Sequence, residues 1–252
     1  MFLKVIPILV DNYVWILFDK NNFCIIIDPG ISNPILEKIK EQNLFPIAIL
    51  LTHNHIDHTG GVQEIINSYP EITVFGPYET RKSGVNKIVN SGDKLYILNR
   101  EFIVFYTPGH TLGHVSYYSK PYFFCGDTIF SGGCGRVYKK KYLDMFNSIN
   151  MISSLPNETI LCCAHEYTLS NLCFAMSILP KDQNIRNFYN KANKIIKNNK
   201  IYVPSYILLE KKINLFFRIN ENYIKESIGL DKNCNSFTVF KNLRKMKDNF
   251  WS

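Results

Sequence analysis

Histidine is scarce in this chain, and half of it is concentrated in one short stretch. Of the six histidines in 252 residues, His53, His55 and His58 fall within LLTHNHIDHTGG (50–61), together with Asp57. A single histidine is more often a buried polar residue than a ligand, but three beside a carboxylate are hard to explain by packing. Imidazole and carboxylate groups suit zinc and iron. The stretch predicts a metal site on a loop, because the i, i+4 spacing of a helical HExxH site is absent.

Two complete metal shells need further ligands, and candidates stand where other predicted strands end. Each is a histidine or aspartate directly after a β-branched or aromatic run: His110 in TPGHTLGH, Asp127 in FCGDT and His165 in CCAHEY. Open α/β-type sheets commonly assemble their sites at the ends of strands. We therefore expect these side chains to lie beside the 50–61 loop.

Two kinds of pattern alternate over the first two thirds of the chain. Short β-branched and aromatic runs predict strands over residues 3–10, 13–18, 23–27, 48–51, 73–75, 102–106, 122–125 and 160–163. Helical patterns lie between several of them, over residues 34–42, 62–68 and 144–154. Together these elements predict an α/β fold, with sheets flanked by helices.

After Tyr167 the pattern becomes helical. Residues 169–179 predict one helix, and Asp182 is the candidate N-cap of a second, whose apolar residues recur every three or four positions. Residues 205–212 predict another helix, and Ser236 is the candidate cap of a last one. The sequence thus predicts a smaller, all-helical C-terminal domain.

Composition limits the classes of protein that need considering. Hydrophobic residues make up 46% and charged residues 20%, which is typical of a globular chain. The net charge of +8 allows a nucleic-acid-binding protein, but the basic residues lack the aromatic spacing such proteins usually show. Seven cysteines without a CxxC pair favour reduced thiols, and no apolar run approaches the ~18 residues of a membrane span. Asp11 also interrupts the N-terminal apolar stretch, so we expect a cytoplasmic protein with no nucleic-acid or membrane partner.

Motifs over nearly the whole chain resemble those of glyoxalase II, the hydroxyacylglutathione hydrolases of the metallo-β-lactamase superfamily. They are DNY (11–13), IDPG (27–30), THNHIDH, TPGHTLGH, FCGDTIFSGGCGR and AHEYTLSN. THxHxDH alone specifies only the superfamily, whereas SGGCGR with AHEYTLSN and a basic C-terminal helix is far more specific. The resemblance implies an α/β catalytic domain, an αββα sandwich of the metallo-β-lactamase type, over residues 1–165. A helical substrate-binding domain would follow over residues 166–252.

The resemblance also implies which side chains hold two divalent metal ions. One ion would be held by His53, His55 and His110, the other by Asp57, His58 and His165, and Asp127 would bridge them. Zinc is the expected metal, with iron and manganese as alternatives. Asp28 would orient a ligand imidazole, or is simply the turn-forming residue of DPG. His114 has no ligand role in the pattern and is expected to be structural.

The implied reaction is hydrolysis of S-(2-hydroxyacyl)glutathione, such as S-lactoylglutathione, by a hydroxide that bridges the two metals. This is the second step of methylglyoxal detoxification. The resemblance assigns the glutathione moiety to Arg136, Tyr138, Tyr167, Arg244 and Lys247. A solvated basic face is the alternative for Arg244 and Lys247, which are three apart on a predicted helix. The lysines at 139–141 depart from the family pattern, and we expect a monomer.

Three other hypotheses compete with thioester hydrolysis. A persulfide dioxygenase of the same fold would use one iron, but such enzymes usually lack the helical tail, and seven ligands suit two metals better. A nuclease of the superfamily is favoured only by the net charge. A non-catalytic binding module would not need a complete set of ligands.

Overall fold

The computed structural model describes residues 1–198 and 201–250, and two six-stranded sheets form its centre. The first sheet has the order β1-β2-β3-β4-β5-β6. Its strands are β1 (Phe2–Ile8), β2 (Asn12–Phe18), β3 (Phe23–Ile27), β4 (Phe45–Leu50), β5 (Thr73–Gly76) and β6 (Lys87–Ile88). The pairs β1-β2 and β2-β3 are antiparallel, and the pairs from β3 to β6 are parallel.

The second sheet is built from the middle of the chain, and one strand of the C-terminal segment forms its edge. In chain order the remaining strands are β7 (Lys94–Ile97), β8 (Arg100–Tyr106), β9 (Val115–Ser119), β10 (Tyr122–Gly126), β11 (Ile129–Phe130), β12 (Gly133–Cys134), β13 (Ile160–Cys163) and β14 (Ser205–Tyr206). The sheet order is β14-β13-β10-β9-β8-β7, and β11 pairs with β12 as a separate hairpin.

Nine helices of the described residues cover these sheets and form the C-terminal segment. They are α1 (Asn33–Glu41), α2 (Ile56–Thr59), α3 (Val62–Ser68), α4 (Tyr142–Ser153), α5 (Thr168–Ile178), α6 (Gln183–Ile196), α7 (Ile207–Ile213), α8 (Asn222–Ser227) and α9 (Ser236–Asp248). Single 3₁₀ turns lie at Tyr78–Thr80, Tyr138–Lys140 and Leu215–Phe217. None of the helices in the described part of the chain combines the length and apolar character needed to cross a bilayer.

The alternation of side chains along β2 shows how the layers are held together. Val14 and Ile16 belong to the core cluster that contains residues of α1 and α3. Trp15 and Leu17 point to the opposite face and join the larger cluster, which includes residues of both sheets and of α4 and α5. Successive residues of a strand face opposite sides of the sheet, so one strand serves two cores. The predicted α/β fold, with two sheets between helices, is confirmed.

The C-terminal segment differs in two details from the prediction. Ser205 and Tyr206 pair antiparallel with Leu161 and Ile160, so the segment is not all-helical and α7 begins at Ile207. The pairing covers the outer edge of β13, which would otherwise leave backbone groups unpaired. Residues 199, 200, 251 and 252 of the predicted 166–252 domain lie outside the described residues.

The two predicted N-caps have different outcomes. The Asp182 side chain accepts a hydrogen bond from the amide of Ile185, which confirms it as the cap of α6. The prediction for Ser236 was wrong, because Asn235 accepts from the amide of Thr238 and caps α9. A cap side chain must lie before the first helical residue to reach the amide three positions on.

Several strands escaped the sequence patterns. The most important is β9, a central strand that pairs with both β8 and β10 and follows His114 directly. Its sequence, VSYYS, is short, and Pro121 follows within two residues. For these two reasons the pattern did not predict a strand between the predicted strands at 102–106 and 122–125. The predicted first strand also extended too far, because β1 ends at Ile8 and Leu9 turns the chain with a φ of 51°.

Candidate metal centre

Four candidate ligands converge where strands of the two sheets end. His53 and His55 follow β4, His110 follows β8, and Asp127 follows β10, and one ligand atom from each lies within 4.8 Å of the others. His55 Nδ1 is 3.0 Å from the Nε2 atoms of both His53 and His110. Asp127 Oδ2 is 3.3 Å from His110 Nε2. This first group has the nitrogen and oxygen donors that zinc and iron accept.

A second group lies on the other side of Asp127. Asp57, His58 and His165 also bring ligand atoms within 4.8 Å of one another. The other carboxylate oxygen, Asp127 Oδ1, is 3.3 Å from His58 Nε2 and 3.4 Å from His165 Nε2. Asp57 and His58 lie on the single turn of α2 and not on an open loop as predicted. One oxygen of Asp127 therefore faces each group.

Two buried atoms at the centre of this arrangement have unmet bonding capacity. Among the residues that the structure describes, His58 Nε2 and Asp127 Oδ1 are buried without a hydrogen-bond partner. Such atoms are costly unless something else satisfies them. A cation between the groups would do so, and the donor set fits a dinuclear site for divalent metals.

Hydrogen bonds fix which nitrogen each imidazole turns towards the centre. Nδ1 of His58 lies 3.0 Å from Asp28 Oδ2, and Nδ1 of His110 lies 3.1 Å from the carbonyl oxygen of Arg136. Because carboxylate and carbonyl oxygens only accept, both Nδ1 atoms carry a proton, and Nε2 is the nitrogen that can bind a metal. His55 is the exception, since its Nδ1 faces the other imidazoles.

Asp28 is both a turn residue and an orienting carboxylate. Its φ is 53°, and its side chain accepts from the amide and hydroxyl of Thr52 at 2.8 and 2.7 Å. Because the Thr52 hydroxyl donates to Asp28, it accepts from Nδ1 of His53 at 3.0 Å. Asp28 thus orients His58 directly and His53 through Thr52.

Carboxylates dominate the electrostatics of the second group. Burial lowers the pKa of His58, but the charges of Asp127 and Asp28 outweigh burial and raise it to about 10. Burial likewise lowers the pKa of His165, but the neighbouring carboxylates of Asp127 and Asp57 outweigh burial and raise it to about 11. These imidazoles hold protons that an arriving cation must displace, so metal binding here is coupled to proton release.

Asp11 and Asn12 of the DNY motif had no role predicted from the sequence, and the structure places both at the second group. Asp11 Oδ1 accepts from His165 Nδ1 at 2.8 Å, and Asn12 Nδ2 donates to Asp57 Oδ2 at 2.8 Å. The carboxylate of Asp11 therefore fixes the ring of His165 with Nε2 towards the centre. Position in the motif was the only sequence signal, because Asp11 and His165 are 154 residues apart.

A cavity of about 440 Å³ opens beside His110 and Asp127 and contains four of the five residues assigned to glutathione. Those in its lining are Arg136, Tyr167, Arg244 and Lys247. The Tyr167 ring stacks on His165, with centroids 4.9 Å apart and planes at 7°. Tyr138 lies instead in a neighbouring groove beside His55. The structure thus brings basic groups from the last helix to the edge of the metal centre.

The two basic residues of α9 have different surroundings. Arg244 is 3% exposed, donates to the carbonyl of Cys134 at 2.8 Å and pairs with Asp248 at 2.9 Å. Lys247 is partly buried and donates to the carbonyl and the hydroxyl of Ser170, both at 3.0 Å. A solvated basic face is therefore the wrong description of Arg244.

The lysine run after Tyr138 has an unusual backbone. Lys139 and Lys140 have φ values of 41° and 64°, in the left-handed region that non-glycine residues seldom adopt. Lys139 Nζ lies 5.0 Å from the centre of the Tyr138 ring. A glycine-containing segment would take this turn without strain, so the departure from the family pattern is accommodated at some backbone cost.

Comparisons with known proteins agree over both parts of the chain. The model of the metallo-beta-lactamase superfamily matches residues 9–165, and that of the hydroxyacylglutathione hydrolase C-terminus matches residues 166–250. The hydroxyacylglutathione hydrolase of Buchnera aphidicola subsp. Acyrthosiphon pisum is 60% identical over 100% of both chains. That of Klebsiella pneumoniae is 48% identical over 97% of this chain and 98% of its own.

Solved structures support the fold alone. The BLEG-1 B3 metallo-beta-lactamase has a TM-score of 0.67 at 24% identity, covering 86% of this chain and 99% of its own. ETHE1 from Myxococcus xanthus has a TM-score of 0.65 at 21% identity, covering 92% of this chain and 93% of its own. At these identities a shared fold does not imply a shared reaction.

Proposed function

Because this chain belongs to the hydroxyacylglutathione hydrolase family, we propose that it hydrolyses the thioester of S-(2-hydroxyacyl)glutathione to glutathione and a 2-hydroxy acid. The resemblance seen in the sequence motifs is confirmed. The observation that carries the proposal is the position of Asp127, whose two carboxylate oxygens face two separate groups of metal-binding side chains. The reaction is the second step of methylglyoxal detoxification.

Residues 1–165 form the catalytic domain in this proposal, and their seven ligands hold the two ions. Zinc is the metal we expect, and iron or manganese would suit the same donors. Bound divalent cations lower the pKa of water and polarise a carbonyl oxygen. The protein side chains contribute orientation: Asp28 and Asp11 fix two imidazole rings, and Asn12 holds Asp57.

Residues 166–252 form the substrate-binding domain in the proposal. Glutathione carries carboxylates, and Arg244 and Lys247 bring positive charge into the 440 Å³ cavity from α9. Arg136 adds a third charge at the metal end of the same cavity. Charge-assisted hydrogen bonds to carboxylates are the strong ones, so this end of the substrate supplies affinity.

Tyr167 and Tyr138 complete the proposed substrate site. Burial, with the nearby charge of Asp11, holds the pKa of Tyr167 well above its ordinary value, so its hydroxyl stays protonated as a donor. Tyr138 lines a groove beside His55, and we keep it as a contact of the glutathione moiety in the proposal. A thiolate is a good leaving group, so no dedicated acid is needed.

Two broader properties complete the proposal. We place the protein in the cytoplasm as a monomer without nucleic-acid or membrane partners. All seven cysteines lie in the described part of the chain as free thiols, which suits a reducing compartment.

The test combines metal analysis with thioester hydrolysis. Wild type should carry close to two metal equivalents and release thiol from S-lactoylglutathione. The Asp127→Ala variant should bind less metal and hydrolyse the thioester more slowly. The control is Asp231→Ala, which removes an exposed carboxylate far along the chain and should change neither the metal content nor the rate. Full activity with one metal, or a normal Asp127→Ala variant, would contradict the dinuclear centre. Oxygen uptake with glutathione persulfide and no thioester cleavage would indicate a dioxygenase instead.

A further inference from the structure

His114 is a buried histidine beside the metal centre that belongs to neither group of ligands. It is 0% exposed and directly precedes β9, four residues after His110. Both nitrogens and one face of its ring make contacts, and these contacts connect His114 to two of the proposed ligands.

The two ring nitrogens have fixed roles. The backbone amide of Asp127, which can only donate, lies 3.2 Å from His114 Nε2. Nε2 therefore carries no proton and accepts. Nδ1 then carries the proton and faces the hydroxyl oxygens of Thr107 at 2.9 Å and Thr128 at 3.2 Å. The ring is a neutral tautomer with neither nitrogen available to a metal.

The ring face and the neighbouring backbone are equally constrained. The His114 and His53 rings stack, with centroids 4.9 Å apart and planes at 25°. Gly126 has a φ of 47°, and a Cβ there would lie 2.7 Å from His114 Nε2 and 2.5 Å from Thr52 Oγ1. Only glycine allows the chain to lie this close to the ring as it leads into Asp127.

We propose that His114 is a positioning residue that holds two metal ligands in place, Asp127 through its backbone amide and His53 through ring stacking. The inference rests on the proposed metal centre, but not on the identity of its substrate. A carboxylate that must face two groups tolerates little rotation of its backbone. An acceptor fixed on its amide restricts that rotation at the residue itself.

Two substitutions separate the functions of the ring. His114→Gln can place an amide oxygen where Nε2 stands and so retain the acceptor for Asp127. His114→Phe retains an aromatic ring against His53 but removes the acceptor. Loss of a group that orients ligands typically weakens metal affinity by about 10- to 100-fold. We expect this loss in His114→Phe and a smaller one in His114→Gln.

The control is Ser116→Ala, which removes a buried hydroxyl from the same hydrogen-bond network without touching a ligand. Ser116 Oγ lies 2.8 Å from Thr107 Oγ1, and the residue is 0% exposed. Its loss should lower the melting temperature but leave metal affinity unchanged. Affinity is measured by chelator competition on protein whose fold is verified by circular dichroism.

The result that overturns the proposal is a His114→Phe protein that melts earlier, as Ser116→Ala does, yet binds both metals with wild-type affinity. Equal losses in Gln and Phe variants would overturn the role of the acceptor. If His114→Phe does not fold, His114→Asn replaces it, because its shorter amide cannot reach the Asp127 backbone, and it should bind metal less tightly than His114→Gln. A wild type that binds two metals but cleaves no glutathione thioester would refute the proposed function and leave this test intact.

Discussion

Lys247 is the residue at which glutathione binding can be tested with the least disturbance to the fold. Its ammonium group lines the cavity and is held by the carbonyl and hydroxyl of Ser170. Arg244 is a poorer target, because it also anchors the carbonyl of Cys134 and pairs with Asp248. Lys247→Met removes the charge and keeps most of the aliphatic length.

The expected magnitude follows from the donors of the ammonium group. It has three protons, and the two contacts with Ser170 leave one for a substrate carboxylate. A hydrogen bond to a charged group contributes roughly 1.5–3 kcal/mol, and about 1.4 kcal/mol corresponds to ten-fold. We therefore expect kcat/KM for S-lactoylglutathione to fall by about ten-fold to a hundred-fold. The change should lie mostly in KM, because the contact is remote from the reacting carbonyl.

Lys245 provides the matched control on the same helix. It is exposed, whereas Lys247 is partly buried against Ser170, so Lys245→Met removes the same charge from the outer face of α9. That variant should hydrolyse S-lactoylglutathione like wild type. A small thioester without the glutathione peptide should be cleaved equally by all three proteins. A Lys247→Met variant with an unchanged KM, or a Lys245→Met variant whose KM rises as much, would show that Lys247 does not bind the glutathione moiety.

Two further predictions concern pH and stability. Burial is the main cause that lowers the pKa of Lys247 to about 8, so its charge is present below that pH and lost above it. KM for the glutathione thioester should therefore rise as pH increases through about 8. The Lys247→Arg variant stays charged, so its KM should rise less over the same range. Identical pH profiles of KM for the two proteins would contradict the role of the Lys247 charge. Asp182→Ala removes the cap of α6 and an ion pair with Arg218, so the free energy of unfolding in urea should fall by about 1–3 kcal/mol. Its kcat should stay at the wild-type value, and an inactive but stable variant would contradict a purely structural role.

The convergence of the proposed metal ligands could be predicted, because most of them follow a strand whose pattern is local. His110, Asp127 and His165 come after apolar runs that became β8, β10 and β13. Once the sheets form, the ends of these strands lie close together, so the positions of the proposed ligands along the chain were enough to predict that they meet. The scarcity of histidine helped as well, since few other imidazoles competed for the role.

The orienting contacts could not be predicted, because they join residues that no periodicity connects. Asp11 reaches His165 across 154 residues, and Arg244 reaches Cys134 across 110. Helical spacing placed Arg244 and Lys247 on one helix, but it did not show that the first is buried against another segment. Such information exists only once the tertiary fold brings the segments together.

The C-terminal segment places basic side chains in the cavity, and it also holds the backbone of the 131–136 loop, which includes the short strand β12. Arg244 donates to the carbonyl of Cys134 at 2.8 Å. The fully buried carboxylate of Glu210, on α7, accepts from the amide of Gly132 at 2.8 Å. Two helices that are distant in sequence therefore fix the path of one loop.

That loop leads directly into the metal centre, so the two parts of the chain are not independent in function. The carbonyl of Arg136 accepts from His110 Nδ1 and so turns Nε2 of this proposed ligand towards the first group. A Cβ at Gly135 would lie 1.9 Å from the carbonyl oxygen of Asp127, which shows how closely the loop packs against the proposed bridging residue. A substitution of Arg244 that releases the loop should therefore lower kcat as well as raise KM. The contrast with Lys247, where the change should lie mostly in KM, separates a residue that binds substrate from one that also shapes the centre.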